Sequence, residues 1–98
     1  MDKLTFSKER IGNFCQKHHI SFLALFGSAI TPQFSASSDI DILVRFDESH
    51  IPTLFSFVDM ESELSSIMGR PVDLKTPNDL SPYFRAEVLS QAKVVYAQ

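Results

Sequence analysis

Apolar positions recur along the chain in two periods, and the switches between them mark the elements. Between Ser7 and His19, the residues Ile11, Phe14, Cys15 and His18 fall at i, i+3, i+4 and i+7, which is one stripe of a helix. His18 ends that stripe and reads as a histidine at the edge of the core. The pattern then changes to a continuous apolar run, ISFLALF from Ile20 to Phe26. Its length and large side chains predict a strand buried on both faces. Gly27-Ser28 breaks the run, Ala29-Ile30 can begin a short helical turn, and Pro32 limits it. Ser35 to Ser38 reads as a polar turn, and DIDILVRF, from Asp39 to Phe46, as a second strand.

After a loop from Asp47 to Pro52, Thr53 is placed to cap a helix from Leu54 to Met68, with Gly69 as its C-terminal glycine. Leu54, Phe57, Val58, Leu64, Ile67 and Met68 are expected on or near its inner face. Phe55 and Phe57 cannot both face inward, because positions i and i+2 diverge by about 200°. Phe55 is therefore a candidate for partner surface. Val72 to Lys75 reads as a third short strand. Thr76-Pro77-Asn78-Asp79 and Ser81-Pro82 each carry a helix-start signal. Tyr83 to Ala92 follows as the last helix, with Phe84, Val88 and Leu89 expected inward, and Val94 to Tyr96 as an edge strand. The expected architecture is one α/β (α+β) domain over residues 1–98, a small mixed sheet flanked by helices.

Composition narrows the function. The 98 residues carry nine Lys and Arg against twelve Asp and Glu, a net charge of −3, with the basic residues scattered. The electrostatic footprint of a phosphate-backbone binder is missing, so no direct nucleic-acid contact is expected. A single cysteine, Cys15, rules out an intrachain disulfide framework and a cysteine-based zinc cluster. His18, His19 and His50 show no metal-ligand spacing. MDKLTFSKER lacks the apolar core of a signal peptide, and no apolar run approaches a membrane span. The expectation is a cytoplasmic protein with no membrane contact.

The chemistry concentrates in two strands. Alternate residues of a strand share a face, so Asp39 and Asp41 are expected together, with Ile40 and Ile42 packing on the other side. Two close carboxylates repel unless solvent or a cation intervenes. Mg²⁺ suits such a pair, because it takes one or two carboxylates and binds substrate phosphates. Asp73, flanked by apolar residues in VDLK, joins them if its strand lies alongside. Three acids on one face can hold two metal ions for an in-line displacement at phosphorus. Gly27 lets backbone approach a phosphate closely, and Ser28 adds a hydroxyl and an N–H at the start of a turn.

These residues carry a family resemblance. LFGSAITPQFSASSDIDILV resembles the GS-x10-DxD signature of the polymerase-beta-like nucleotidyltransferase superfamily, with ten residues between Ser28 and Asp39. VDLKTP, from Val72 to Pro77, looks like the family's third-carboxylate strand. LSPYFRAEVLSQAKVVYAQ looks like the C-terminal helix and tail of its small members. In length the chain is similar to the minimal nucleotidyltransferases (MNT), commonly the antitoxin partners of HEPN-domain ribonuclease toxins. The resemblance implies the polymerase-beta-like fold, ATP as substrate and Mg²⁺, with two ions. It implies transfer of AMP to a tyrosine of the toxin. By the same resemblance Gly27 and Ser28 hold the triphosphate and Asp39 and Asp41 bind the metals. Asp73 completes the site and helps to deprotonate the acceptor hydroxyl.

Two alternatives stand beside that reading. One is a catalytically weak or inactive antitoxin that neutralises its partner by binding alone; on either reading a homo- or hetero-oligomer is expected. The other is a small-molecule, antibiotic-type nucleotidyltransferase, whose known members are longer. The chain also departs from the MNT pattern. Many members have an arginine soon after Gly-Ser, whereas AITPQFSASS, residues 29–38, has no Lys, Arg or Gly. Arg45, Arg70, Lys75 and Arg85 are the candidates to supply that charge from elsewhere.

Overall fold

Each helix of the protein begins at a polar cap that the sequence supplies. The structure is a computed structural model, and it describes residues 6–30 and 39–98. The Ser35–Ser38 turn expected from the sequence lies outside the described residues. Ser7 accepts the Arg10 N–H at 3.2 Å and starts α1, Lys8–Lys17. Thr53 accepts the Ser56 N–H at 3.1 Å and starts α2, Leu54–Met68. Ser81 accepts the Tyr83 N–H at 3.3 Å and starts α3, Pro82–Gln91, with Pro82 in the first turn. Gly69 ends α2 in the left-handed region, at φ 72°, and its N–H donates to the Ser65 carbonyl.

Among the described residues, four strands form one mixed sheet: β1, Ile20–Phe26; β2, Ile40–Phe46; β3, Val72–Lys75; and β4, Lys93–Ala97. Their spatial order is β3-β2-β1-β4. β1 runs antiparallel to both β2 and β4, whereas β2 and β3 are parallel, joined by α2 as the crossover. The continuous apolar run thus becomes a central strand, and Leu23, Ala24 and Leu25 are all buried, as a strand covered on both faces requires.

One face of the sheet carries the main core. Leu23 and Leu25 of β1, Ile40, Ile42 and Val44 of β2, and Val72 and Leu74 of β3 meet Ile11, Phe14 and Cys15 of α1 and Met60, Leu64 and Met68 of α2. Deleting one such side chain, for example by Leu64→Ala, costs about 2–5 kcal/mol. Alternation sends Asp41, Leu43, Asp73 and Lys75 to the opposite face. The sequence-expected inner positions on α2 need correction. Leu54 is 75% and Val58 55% exposed, while Met60, absent from the expected set, is buried. Phe55 is exposed and Phe57 half-buried, as their spacing requires. On α3, Phe84 is 61% exposed rather than inward, Val88 and Leu89 are half-buried, and no residue is fully buried.

Candidate active site

The site is built where β1 ends and β2 and β3 begin. β1 leads into a single 3-10 turn, Gly27–Ile30. Gly27 enters it at φ 63°, which L side chains rarely adopt. A Cβ on Gly27 would collide with Oδ2 of Asp41 and would lie 3.1 Å from its Cγ. The glycine therefore serves two ends: it makes the turn, and it leaves room for a carboxylate against bare backbone. Ser28 follows Gly27 in the same turn.

Asp41 occupies β2 between two register partners, Phe26 in β1 and Asp73 in β3. Neighbouring strands lie about 4.8 Å apart, so the Asp41 and Asp73 side chains leave the same face side by side. Their flanking residues Ile40, Ile42, Val72 and Leu74 are buried on the other face and anchor the pair. Asp41 is half-buried, and the Asp73 side chain is 46% exposed. Asp39 stands apart. The strand expected to start at Asp39 starts at Ile40, so Asp39 is an exposed residue just ahead of the ladder. Among the described residues, no three His, Cys, Asp or Glu side chains converge closely enough to hold a metal ion. The structure thus brings Asp41 and Asp73 together beside Gly27, and Asp39 flanks them.

α2 holds β3, and with it Asp73, in place. The outward N–H groups of an edge strand need partners. Here the Val72 N–H donates to Ser65 Oγ at 3.0 Å and the Leu74 N–H to Glu61 Oε2 at 2.8 Å. Ser65 Oγ in turn donates to the Glu61 carbonyl at 2.8 Å. Sequence reading passed over both residues. The signal was there: two polar side chains at i and i+4 beside the apolar stripe of α2. On β3 itself, Lys75 Nζ lies 3.4 Å from Asp73 Oδ1.

Other chemically suggestive groups lie elsewhere. Burial pushes the Cys15 thiol up to about 12, so it is not a nucleophile at neutral pH. His19 and His50 stack with ring centroids 3.7 Å apart at the far end of the β1–β2 ladder, where Ile20 faces Phe46. Beside them, the backbone N–H and hydroxyl of Ser49 hold the Asp47 carboxylate below its usual range. A groove of about 410 Å³ opens by Phe46, Ile51, Phe57 and Pro77, and none of Asp39, Asp41 and Asp73 lines it. Arg85 donates to the Pro77 and Leu80 carbonyls at 2.8 and 3.2 Å, which ties α3 to the turn before it.

A hard divalent cation fits the carboxylate pair. Mg²⁺ accepts oxygen ligands only, and completes one or two carboxylates with waters and substrate phosphates. Asp41 and Asp73 provide two such oxygen sources in register, and Gly27 keeps side-chain bulk away from Asp41.

A mixed sheet with acids opening two parallel strands and a glycine turn beside them defines the class as a nucleotidyltransferase fold. The chain belongs to the polymerase beta nucleotidyltransferase family, whose model matches residues 9–98. It is 36% identical over 74 residues to protein adenylyltransferase MntA of Thermococcus cleftensis, across 76% of this chain and 71% of that one. Among solved structures, it resembles the crystal structure of a toxin-antitoxin with AMP-PNP, at a TM-score of 0.73 and 21% identity, over 94% of this chain and 74% of that one. It also resembles a structure of a tri-AMPylated Shewanella oneidensis HEPN toxin in complex with MNT antitoxin. There the TM-score is 0.65 at 20% identity, over 93% of this chain and 70% of that one. At these identities the two structures speak to the fold. The chain is a nucleotidyltransferase by family, as its Gly-Ser and Asp-x-Asp spacing led one to expect.

Proposed function

We propose that this protein is an antitoxin that transfers AMP from ATP to a tyrosine hydroxyl of a HEPN-type toxin. The observation that carries the reading is the in-register Asp41–Asp73 pair, with the Asp41 carboxylate against the bare backbone of Gly27. Further support comes from the family membership and from the relative named as a protein adenylyltransferase.

Asp41 and Asp73 are the residues that would hold Mg²⁺, with Asp39, just ahead of β2, as a third carboxylate that would have to close on the ion, and Gly27 and Ser28 those that would hold the triphosphate. When bound, Mg²⁺ would neutralise phosphate charge and act as a Lewis acid. The Asp73 carboxylate accepts the proton of the acceptor hydroxyl. The freed oxygen attacks the α-phosphorus, an oxygen–phosphorus bond forms, and the bond to pyrophosphate breaks with its electron pair leaving on pyrophosphate. The products are the AMP ester, pyrophosphate and the proton held by Asp73. Positioning and electrostatics supply most of the acceleration in such a displacement.

The test is the intact mass of the partner toxin co-expressed with the wild type or with the Asp39→Asn/Asp41→Asn variant. A gain of whole AMP units with the wild type alone is the expected outcome. An unchanged mass in both cases, with stable complexes, would mean that neutralisation is by binding.

A further inference from the structure

The ten residues 29–38 that follow Gly27-Ser28 contain no lysine or arginine, yet a triphosphate brings several negative charges to a site already made of acids. We propose that Lys75 is the triphosphate-binding cation of this site, reaching it from β3 rather than from the loop. The inference rests on the nucleotidyltransferase reading above and names a residue for it.

Strand geometry places Lys75 for the task. It is two positions after Asp73, so it shares the sheet face of Asp41 and Asp73, and its register partner is Leu43. Its ammonium already sits at the Asp73 carboxylate, 3.4 Å from Oδ1. Of the other candidate cations, Arg70 precedes β3 and has a partner of its own, and the rest are less well placed or otherwise engaged. Arg85 is spent on the Pro77 and Leu80 carbonyls. Lys17 pairs with Glu63 at 2.6 Å, between α1 and α2. Arg45 shares the face but lies four positions beyond Asp41, near the far end of β2, where it faces Phe22.

The pair with Asp73 has little to contribute to folding. Both side chains are partly open to solvent, 41% and 46% exposed, and pairs that solvent reaches are weak. Its value lies in holding an ammonium on a flexible four-carbon stem beside the Asp73 carboxylate, from which it can swing to a phosphate. Once Asp73 faces a second positive charge, its hold on Lys75 falls, and the ammonium turns to phosphate oxygens through charge-assisted hydrogen bonds. A lysine two residues after the third acid then does what an arginine in the loop does elsewhere in the family.

Calorimetric titration of the full chain with Mg²⁺ and a non-hydrolysable ATP analogue, or with AMP, tests this. Lys75→Met is expected to weaken analogue binding by about tenfold to a hundredfold. AMP binding should stay as in the wild type, and Lys75→Arg should restore most of the analogue affinity. Equal binding of the analogue by wild type and Lys75→Met would overturn the inference while leaving the nucleotidyltransferase reading intact. Parallel loss of AMP and analogue binding, unrescued by arginine, would also overturn it, because it would mark a structural role. A wild type that binds neither nucleotide would sink both.

Discussion

Gly27 and the Asp41 carboxylate claim the same small volume, and only a residue without a side chain can cede it. This gives Gly27→Ala two separable costs. The left-handed backbone at φ 63° costs an L residue about 1–2 kcal/mol. Displacing the carboxylate adds to that. Gly69 is the internal control: its φ is 72°, but a Cβ there meets nothing within 4 Å. Gly69→Ala should therefore show the backbone cost alone. Gly27→Ala should cost more than Gly69→Ala in the wild type and about the same in an Asp41→Ala background, read by urea unfolding. Equal costs for Gly27→Ala in both backgrounds would show that the carboxylate does not fill that space. At this scale the sequence was informative about identity but silent about contact. Gly-Ser and Asp-x-Asp could be read from spacing, whereas the approach of Gly27 to Asp41 depends on how β1 pairs with β2, with Phe26 opposite Asp41.

At the scale of elements, the acid pair depends on β3, a strand of four residues at the sheet edge. Its inner side is fixed by the parallel ladder to β2. Its outer side is fixed by α2 through Glu61 and Ser65. Glu61→Leu removes the acceptor of the Leu74 N–H and should cost about 1–3 kcal/mol. The expected signature is local: the Leu74 amide should lose hydrogen-exchange protection well before the Leu64 amide in α2 does. Uniform loss across the chain would instead assign Glu61 to global packing. The elements themselves were largely readable beforehand, because their ends carry side-chain signals: Ser7, Thr53 and Ser81 at starts, Gly69 at a stop. What periodicity could not give was the cover. It marks which side of a helix is apolar, not what lies against it, and Phe84 on α3 and Leu54 and Val58 on α2 are apolar and exposed. The neighbour of β2 was likewise open until pairing was known, since nothing local in VDLK states that its aspartate stands in register with Asp41.

For the whole molecule, the two helices over the core face are tied to each other as well as to the sheet. Glu63 of α2 accepts from Lys17 Nζ at 2.6 Å and lies 2.9 Å from His18 Nε2, both at the end of α1. The stripe predicted His18 at the core edge, and its ring rests 4.8 Å from that of Phe14 while its nitrogen reaches Glu63. Burial alone pushes the Glu63 carboxylate up, but the hydrogen bonds and charges of Lys17 and His18 outweigh it and hold the group below its usual 4.5. A carboxylate lowered in the folded state contributes stability above its unfolded value and loses it as pH falls through the folded one. With 35% of the side chain exposed, solvent screening keeps that contribution to about 0.5–1 kcal/mol. Urea midpoints of wild type and Glu63→Gln should thus differ above the carboxylate's ordinary 4.5 and converge as pH falls below it. A difference that survives at the acid end would assign the link to packing of the Glu63 stem rather than to its charge. In that case the angle between α1 and α2 is set by the Ile11, Phe14, Met60 and Leu64 contacts of the core, and the ion pair merely decorates its rim.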